Sequence, residues 1–223
     1  MITVVIPARN EARTIKETLG QLRRLEPLVL QTIVVDDYST DGTAEEAQRW
    51  GSVLRTYTIQ NKGRPGYGSA IRTGLAWAAE PWVTIMTADG SDNPADLCTM
   101  AEQATFQMVF GDRWPHGRPA AYPLVKYLAN RLGNRWIARR TQTPYTDWTN
   151  PFKLYPTAWV QEILPQCTAP GMSAGLEIAL RVWQRHPEFQ IVPQDWRARE
   201  RGHSKFHLST PADYYQTVRR VLA

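Results

Sequence analysis

Two carboxylates on one tight turn, Asp89 and Asp92, are the side chains of this chain best suited to chemistry. The turn spans residues 87–94 (TADGSDNP), between an apolar run and an amphipathic segment. We therefore expect a buried strand to end at this turn and a helix to follow it. Carboxylates at the carboxyl end of a strand lie where open α/β sheets bind ligands and divalent metals. Asp, Gly, Asn and Ser are also ordinary turn residues, so the turn needs support from its neighbours.

Three more polar clusters follow short apolar runs in the same way. They are Pro7-Ala8-Arg9-Asn10-Glu11, Asp36-Asp37-Tyr38-Ser39 and Gly111-Asp112-Arg113. The carboxyl ends of parallel strands meet at one edge of a sheet, so all four clusters are expected to converge there. Any single cluster is explained by turn chemistry alone, but four together favour a common site.

The elements that position these clusters alternate between strand and helix in the first half of the chain. Apolar runs at 3–6, 32–35, 53–59, 82–86 and 108–110 predict strands, with helical patterns between them, the first capped by Asn10. The second half is less regular, and its patterns predict helices at 124–138 and 176–185, strands at 152–155 and 189–196, and a last helix from Pro211. This order predicts an α/β fold with a mostly parallel central sheet flanked by helices.

Bulk composition is consistent with one domain. The chain has 223 residues and is 43% hydrophobic, which is enough for a sizeable core. Cys98 and Cys167 show neither metal nor redox spacing, which favours a reducing compartment. No run approaches the roughly 20 apolar residues that span a bilayer, and the N-terminus does not resemble a signal peptide. We expect a cytoplasmic protein, with the cytoplasmic face of a membrane as a further option.

Charge points to an anionic partner. The net charge is +5, and residues 113–140 contain seven Lys and Arg but no Asp or Glu. Arg131, Arg135 and Arg139 recur every fourth residue, so we expect them on one helix face, where they repel unless something anionic lies opposite. A membrane surface or an acceptor phosphate would supply the negative charge opposite these arginines. No recognised motif supports nucleic-acid binding, and we expect no nucleic-acid partner.

Several motifs together resemble the family 2 glycosyltransferases. Residues 34–43 (VVDDYSTDGT) match that family's Val-Val-Asp-Asp-x-Ser-x-Asp-Gly-Thr signature, residues 7–11 (PARNE) its Pro-x-x-Asn-Glu opening, and residues 61–74 its Gly-rich segment. Asp89 aligns with the second Asp of the family's Asp-x-Asp motif. Residues 111–113, 147–153 and 199–205 are similar to elements of the polyprenyl-phosphate sugar synthase branch, which includes dolichol-phosphate mannose synthase.

The resemblance implies a single GT-A domain over residues 1–223, with a nucleotide-sugar-binding half (1–112) and an acceptor-binding half (113–223). It implies an inverting transfer from a UDP- or GDP-linked sugar to an acceptor, most simply a polyprenyl phosphate. The implied nucleotide-binding residues are Pro7, Ala8, Asn10, Glu11, Asp37 and Lys62. Mg²⁺ or Mn²⁺ would be held by Asp89, with Asp92 in reserve, and phosphate or acceptor groups by Arg113, Arg131, Arg199, Ser204 and Lys205.

One departure from the family and one undecided residue leave alternatives open. Thr87 stands where the family has its first metal-binding Asp, and a hydroxyl does not replace a carboxylate as a charged ligand. Asp147 is a candidate catalytic base or orienting carboxylate, and equally a turn residue. The alternatives are a soluble hydroxyl acceptor and a non-catalytic nucleotide-sugar-binding protein. A sugar-nucleotide pyrophosphorylase or a dehydrogenase would need glycines that the first strand–helix turn lacks.

Overall fold

Strands and helices alternate in the computed structural model, which describes residues 1–52, 55–119, 121–198 and 210–223. The strands are β1 (Ile2–Ala8), β2 (Val29–Asp36), β3 (Thr56–Gln60), β4 (Trp82–Ile85), β5 (Met108–Asp112), β6 (Lys153–Pro156) and β7 (Phe189–Pro193). The α-helices are α1 (Ala12–Leu22), α2 (Thr43–Gln48), α3 (Tyr67–Ala76), α4 (Asp96–Gln103), α5 (Leu124–Thr141), α6 (Thr157–Ile163), α7 (Ala174–Arg185) and α8 (Thr210–Leu222).

The seven strands form one mixed sheet in the order β3-β2-β1-β4-β6-β5-β7. Neighbouring strands are parallel except at β6, which runs antiparallel to both β4 and β5. Two reversals restore the direction, so β5 and β7 run the same way as β1 to β4. The carboxyl ends of β1, β2, β4 and β5 therefore share one edge, as the positions of the polar clusters predict.

Both faces of the sheet are buried, because helices cover each of them. Along β1, Val5 packs into one hydrophobic core with Ile33 and Val35, while Val4 and Ile6 pack into the other. This alternation follows from the two-residue period of a strand. A strand covered on both sides needs apolar residues at every position, which explains the continuous apolar run at the N-terminus.

Two glycines allow α3 to lie close to its neighbours. A Cβ atom at Gly74 would stand 2.4 Å from a methyl carbon of Val5 in β1, and one at Gly68 would stand 2.1 Å from the carbonyl oxygen of Ala169. Neither position has room for a side chain, so the helix is held between the sheet and the segment before α7. The start of α3 is thereby fixed at the carboxyl edge of the sheet.

The structure also differs from the sequence-based expectations. Helix α6 was not predicted, α5 continues to Thr141, and β7 ends at Pro193 instead of Trp196. The third strand begins at Thr56, and residues 53–54 of its expected range lie outside the described residues. Asn10 is not the N-cap of α1, because Glu11 occupies that position. No helix within the described ranges is long and apolar enough to span a bilayer.

Candidate active site

At the β2 end of the carboxyl edge, the loops are organised by Asp37, which follows β2. Its carboxylate is almost fully buried and accepts the backbone N–H of Gly66 on both oxygens at 3.0 Å. It also accepts a 2.6 Å hydrogen bond from the side chain of Asn61. Asp37 therefore anchors the Gly-rich turn that leads into α3. Its role toward a nucleoside stays a prediction.

Asn61 joins the parts of this loop, although sequence reasoning assigned it no role. Its side-chain oxygen accepts hydrogen bonds from the Gly63 N–H at 3.1 Å and the Ser69 hydroxyl at 2.9 Å. Its amide donates to Asp37. One buried amide thus connects β3, the Gly-rich turn and α3. The signal in the sequence was its place at the end of a strand, directly before Lys62-Gly63.

The loops after β1 and β2 are tied to each other. The side-chain oxygen of Asn10 accepts the Thr40 N–H at 2.9 Å, and the Glu11 N–H donates to the Thr43 hydroxyl at 2.9 Å. Ala8, at the end of β1, accepts the Asp37 N–H through its carbonyl oxygen. These contacts bring four predicted nucleotide-binding residues together at one place. Pro7 adjoins them at the end of β1.

Lys62 does not join this group. Its ammonium group lies 5.3 Å from the centre of the Trp77 ring, and Trp77 follows the last residue of α3. Asp37, by contrast, binds Gly66, which precedes the first residue of α3. In this structure Lys62 makes a cation–π contact at the other end of the helix, and its nucleotide contact stays a prediction.

In the turn after β4, the carboxylates of Asp89 and Asp92 differ in burial and in their hydrogen-bond partners. Asp89 is half-buried at the edge and accepts the Ser91 N–H at 3.1 Å. Asp92 is buried, and one oxygen accepts the backbone N–H and hydroxyl of Thr87, each at 2.8 Å. Its other oxygen accepts the Gln194 amide at 2.9 Å. Burial raises the pKa of Asp92, and the Thr87 bonds oppose that shift.

Asp92 is therefore a structural part of the turn, which argues against its reserve role as a metal ligand. Thr87, at the family's first Asp position, holds Asp92 through its hydroxyl. Within the described ranges, no group of three or more His, Cys, Asp and Glu side chains could enclose a metal ion. A single carboxylate at an open edge fits Mg²⁺ or Mn²⁺ bound mainly by diphosphate and water oxygens, since Mg²⁺ commonly takes few protein carboxylates.

At the β5 end of the carboxyl edge, Asp147 forms a buried ion pair with Arg113. Asp147 is 0% exposed, and its two oxygens accept the Arg113 Nε–H at 2.9 Å and an Nη2–H at 2.7 Å. The Arg113 N–H and the Trp114 indole N–H bind the same carboxylate. Burial opposes the Arg113 charge, but the attraction of Asp147 outweighs it and raises the pKa of Arg113. Asp147 thus orients Arg113 through a carboxylate that is fully buried and bound by protein donors, and its alternative role as a base stays a prediction.

Lys153 is buried below this pair. Its ammonium donates to the carbonyl oxygens of Trp148 and Asn150 and lies 5.2 Å from the centre of the Phe110 ring. Burial lowers the pKa of Lys153 to about 7, although the charge of Asp147 opposes this shift. The lysine therefore braces the turn that carries Asp147.

A chain of hydrogen bonds connects the Asp89 turn with the β5 end of the carboxyl edge. Gln194, just after β7, donates to Asp92 and accepts a 2.8 Å bond from the Asn150 amide. Asn150 also donates to the carbonyl oxygen of Gly111, at the end of β5. Sequence reasoning missed both amides, because their partners are distant in the chain.

Tyr67, the first residue of α3, was also missed. Its hydroxyl is buried and has no hydrogen-bond partner among the described residues. Burial raises the pKa of Tyr67, and Tyr214, Asp92 and Asp89 add to this shift through their charges. The hydroxyl therefore stays protonated and able to donate, in the neighbourhood of the Asp89 turn.

Arg131 does not share one surface with Arg135 and Arg139. It is half-buried and donates to the carbonyl oxygen and the hydroxyl of Thr146, each at 3.0 Å, whereas the other two are exposed. Arg131 binds the loop before β6, and its contact with a phosphate stays a prediction. The predicted phosphate-binding residues Arg199, Ser204 and Lys205 lie outside the described residues.

An open pocket of about 410 Å³ adjoins the Arg113–Asp147 pair. Arg113, His116 and Arg118 line it from the segment after β5, and Asp96 and Asp195 line it from α4 and the segment after β7. Three groups of basic character and two carboxylates thus face a pocket large enough for a phosphorylated head group.

Comparison with known proteins agrees with this architecture. The family model for glycosyl transferase family 2 matches residues 3–163. The chain is 27% identical to an undecaprenyl-phosphate mannosyltransferase of Micrococcus luteus, over 92% of this chain and 86% of that protein. It is 25% identical to the glycosyltransferase AglJ of Haloferax volcanii, over 90% of this chain and 64% of that protein.

Solved structures share the fold. Glucosyl-3-phosphoglycerate synthase from Mycobacterium tuberculosis, in complex with phosphoglyceric acid, matches with a TM-score of 0.80 at 20% identity, over all of this chain and 80% of that one. Its complex with Mn²⁺, UDP-glucose and phosphoglyceric acid matches with a TM-score of 0.76 at 18% identity, over all of this chain and 79% of that one. The fold is the expected GT-A fold of glycosyltransferases. The chain belongs to glycosyl transferase family 2.

Proposed function

We propose that this glycosyltransferase moves a sugar from a UDP- or GDP-linked donor to a polyprenyl phosphate, with inversion at the anomeric carbon. The observation that carries the choice of a phosphate acceptor is the Arg113 guanidinium, which Asp147 orients and which lines an open pocket together with His116 and Arg118. A hydroxyl acceptor needs a general base within reach. A phosphate monoester is mostly ionised at pH 7 and needs positioning instead.

In this proposal, an acceptor phosphate oxygen attacks the anomeric carbon, and the bond from that carbon to the donor diphosphate breaks. Arg113, held in orientation by Asp147, would position the acceptor phosphate, and His116 and Arg118 line the same pocket. A guanidinium suits this task because it has five N–H donors, so binding Asp147 through Nε and Nη2 leaves the Nη1 donors for a phosphate oxygen.

The donor would lie along the edge between Asp37 and Asp89. Hydrogen bonds join Ala8 to Asp37 and Glu11 to Thr43, so the loops after β1 and β2 form one surface there, which suits a nucleoside. Asp89 would hold Mg²⁺ or Mn²⁺ together with the diphosphate, and a bound metal ion offsets the charge that develops on the leaving nucleotide. The buried Tyr67 hydroxyl would donate a hydrogen bond to an oxygen atom of the nucleotide sugar.

Support for a lipid-linked acceptor comes from the Micrococcus luteus relative, whose name specifies undecaprenyl phosphate. A small soluble phosphate acceptor is the second candidate, favoured by the size and basic lining of the pocket beside Arg113. Both candidates present a phosphate to the same group. They differ in whether a prenyl chain is needed.

The test is a panel of UDP- and GDP-sugars with Mg²⁺ or Mn²⁺, each combined with a short-chain prenyl phosphate in detergent, phosphoglyceric acid or buffer alone. Mass spectrometry would identify the products. We expect a glycosyl prenyl phosphate with one donor class. Transfer to phosphoglyceric acid alone would select the second candidate, and donor hydrolysis alone would contradict both.

A further inference from the structure

Helix α5 presents an apolar surface that no other described element covers. Leu124, Val125, Leu128 and Leu132 have exposed fractions between 50% and 80%. The buried residues of the same helix are Asn134, Ile137, Ala138 and Thr141. The helix thus turns several large aliphatic side chains outward and buries an asparagine and a threonine.

The same half of the helix carries the exposed arginines. At about 100° of rotation per residue, Arg135 and Arg139 fall within the arc of the aliphatic residues. We call the surface formed by Leu124, Val125, Leu128, Leu132, Arg135 and Arg139 the α5 exposed face. Its aliphatic residues occupy the first half of the helix and its arginines the second.

The surroundings of this face are basic and aromatic. Residues 113–146 contain no Asp or Glu, so no nearby acid on this segment neutralises the arginines. Trp136 packs against Tyr215 of α8 at a ring-centroid distance of 5.3 Å, and Tyr215 is half-exposed. Tryptophan and tyrosine beside aliphatic and basic residues are typical of surfaces that meet the head-group region of a bilayer.

We propose that the α5 exposed face docks on an anionic lipid bilayer, with its aliphatic side chains among the acyl chains and its arginines at the phosphates. Charge complementarity selects this occupant: long basic side chains can extend to the head groups while the aliphatic residues insert. A second copy of the chain would set no carboxylate of this segment opposite the arginines, because residues 113–146 contain no Asp or Glu.

The position of α5 gives this docking a consequence for the site. The helix begins six residues after Arg118, so the face lies close in the chain to the segment that lines the pocket. This inference rests on the proposed function only for the identity of the acceptor, since docking would bring the enzyme to the bilayer that holds a lipid-linked phosphate.

The inference is tested by vesicle flotation of the full chain, with phosphatidylcholine vesicles that contain or lack phosphatidylglycerol. We expect the wild type to float with the anionic vesicles. The double variant Leu128→Ser/Leu132→Ser should lose at least about tenfold in vesicle partitioning, because the aliphatic contribution to insertion is removed. Arg135→Glu/Arg139→Glu should lose binding to the anionic vesicles.

Matched controls lie elsewhere on the surface. Phe106→Ser removes a side chain that is 91% exposed, and Lys16→Glu/Arg23→Glu reverses two exposed charges near α1, so both should float like the wild type. Circular dichroism would show that every variant is folded. Neither donor nor acceptor is present, so failure of glycosyl transfer and failure of docking are distinguishable.

Two results would overturn the proposal. One is a wild type that stays in solution with both kinds of vesicle, or leucine variants that float unchanged. The other is a wild type that sedimentation equilibrium shows to be a dimer, with monomeric leucine variants and no vesicle binding. That second result would assign the face to another copy of the chain.

Discussion

At the β2 end of the carboxyl edge, polar side chains bond mainly to loop backbone, whereas at the β5 end charged side chains bond to one another. Asp37 and Asn61 each accept backbone N–H groups of the Gly-rich turn. Arg113 and Asp147 pair with each other, with Lys153 buried nearby. The comparison teaches that the proposed donor side, at β2, holds its buried carboxylate mainly with backbone and amide N–H groups. The proposed acceptor side, at β5, depends on a buried carboxylate and guanidinium that compensate each other, so the loss of either charge is costly.

The largest effect on activity should come from the donor side, at Asp89. Asp89→Asn keeps an oxygen that can accept the Ser91 N–H, but it removes the charge proposed to hold the metal. We expect kcat to fall by about 100- to 1000-fold, the range for loss of one group that stabilises a transition state. Initial rates against Mn²⁺ concentration measure this, and an unchanged rate contradicts the metal assignment.

The largest effect on stability should come from the acceptor side. Asp147→Asn leaves the Arg113 guanidinium buried without its counter-charge, so we expect a loss of about 3 kcal/mol or more of unfolding free energy. The control is Asp195→Asn, which breaks an ion pair whose carboxylate is about half-exposed and should change stability very little. Urea denaturation measures both. Equal stability of the two variants would remove the contrast between the regions.

A smaller effect, confined to activity, is expected at Tyr67. Tyr67→Phe removes a buried hydroxyl that has no partner among the described residues, so the unfolding free energy should not fall. If the hydroxyl binds the donor, the rate should fall roughly tenfold or more. Thr84→Val is the matched control, because it removes another such hydroxyl from inside β4. Wild-type rates for Tyr67→Phe would refute the donor contact.

A final effect, which appears only when the pH is varied, is a pH dependence of stability at Lys153. Its pKa is about 7 in the folded chain, against 10.5 for an unperturbed lysine. Between these values the unfolded chain binds the proton and the folded chain does not, so stability should rise with pH by at most about 1.4 kcal/mol per unit. Lys153→Met should lack this rise between pH 7 and 9. If urea denaturation gave the wild type and Lys153→Met the same dependence of stability on pH, Lys153 would not titrate between pH 7 and 9.

Much of the fold was predictable, because it depends on patterns that are local in the chain. Apolar runs of strand length placed β1, β2, β4 and β5 within a few residues, and the turn residues after them placed the carboxyl edge. Helix α6 was missed because it is only seven residues long and starts directly after β6, so too few positions reveal a period.

The partners of the candidate residues were less predictable. Gln194 binds Asp92 from 102 residues away, and Arg113 binds Asp147 across 34 residues. Neither distance has a periodic signature. The same difficulty affects α5, where the spacing of Arg131, Arg135 and Arg139 was visible, but the packing of Thr146 against Arg131 was not.

By itself, the sequence determined the family, the order of most elements and the set of side chains at the carboxyl edge, because motifs and periodicity are written in neighbouring residues. The tertiary structure decided which of those side chains stay accessible. It buried Asp92 and Asp147 behind protein donors and left Asp89 at the edge. The physical reason is that a carboxylate's role depends on what competes for its oxygens, and those competitors come from distant parts of the chain.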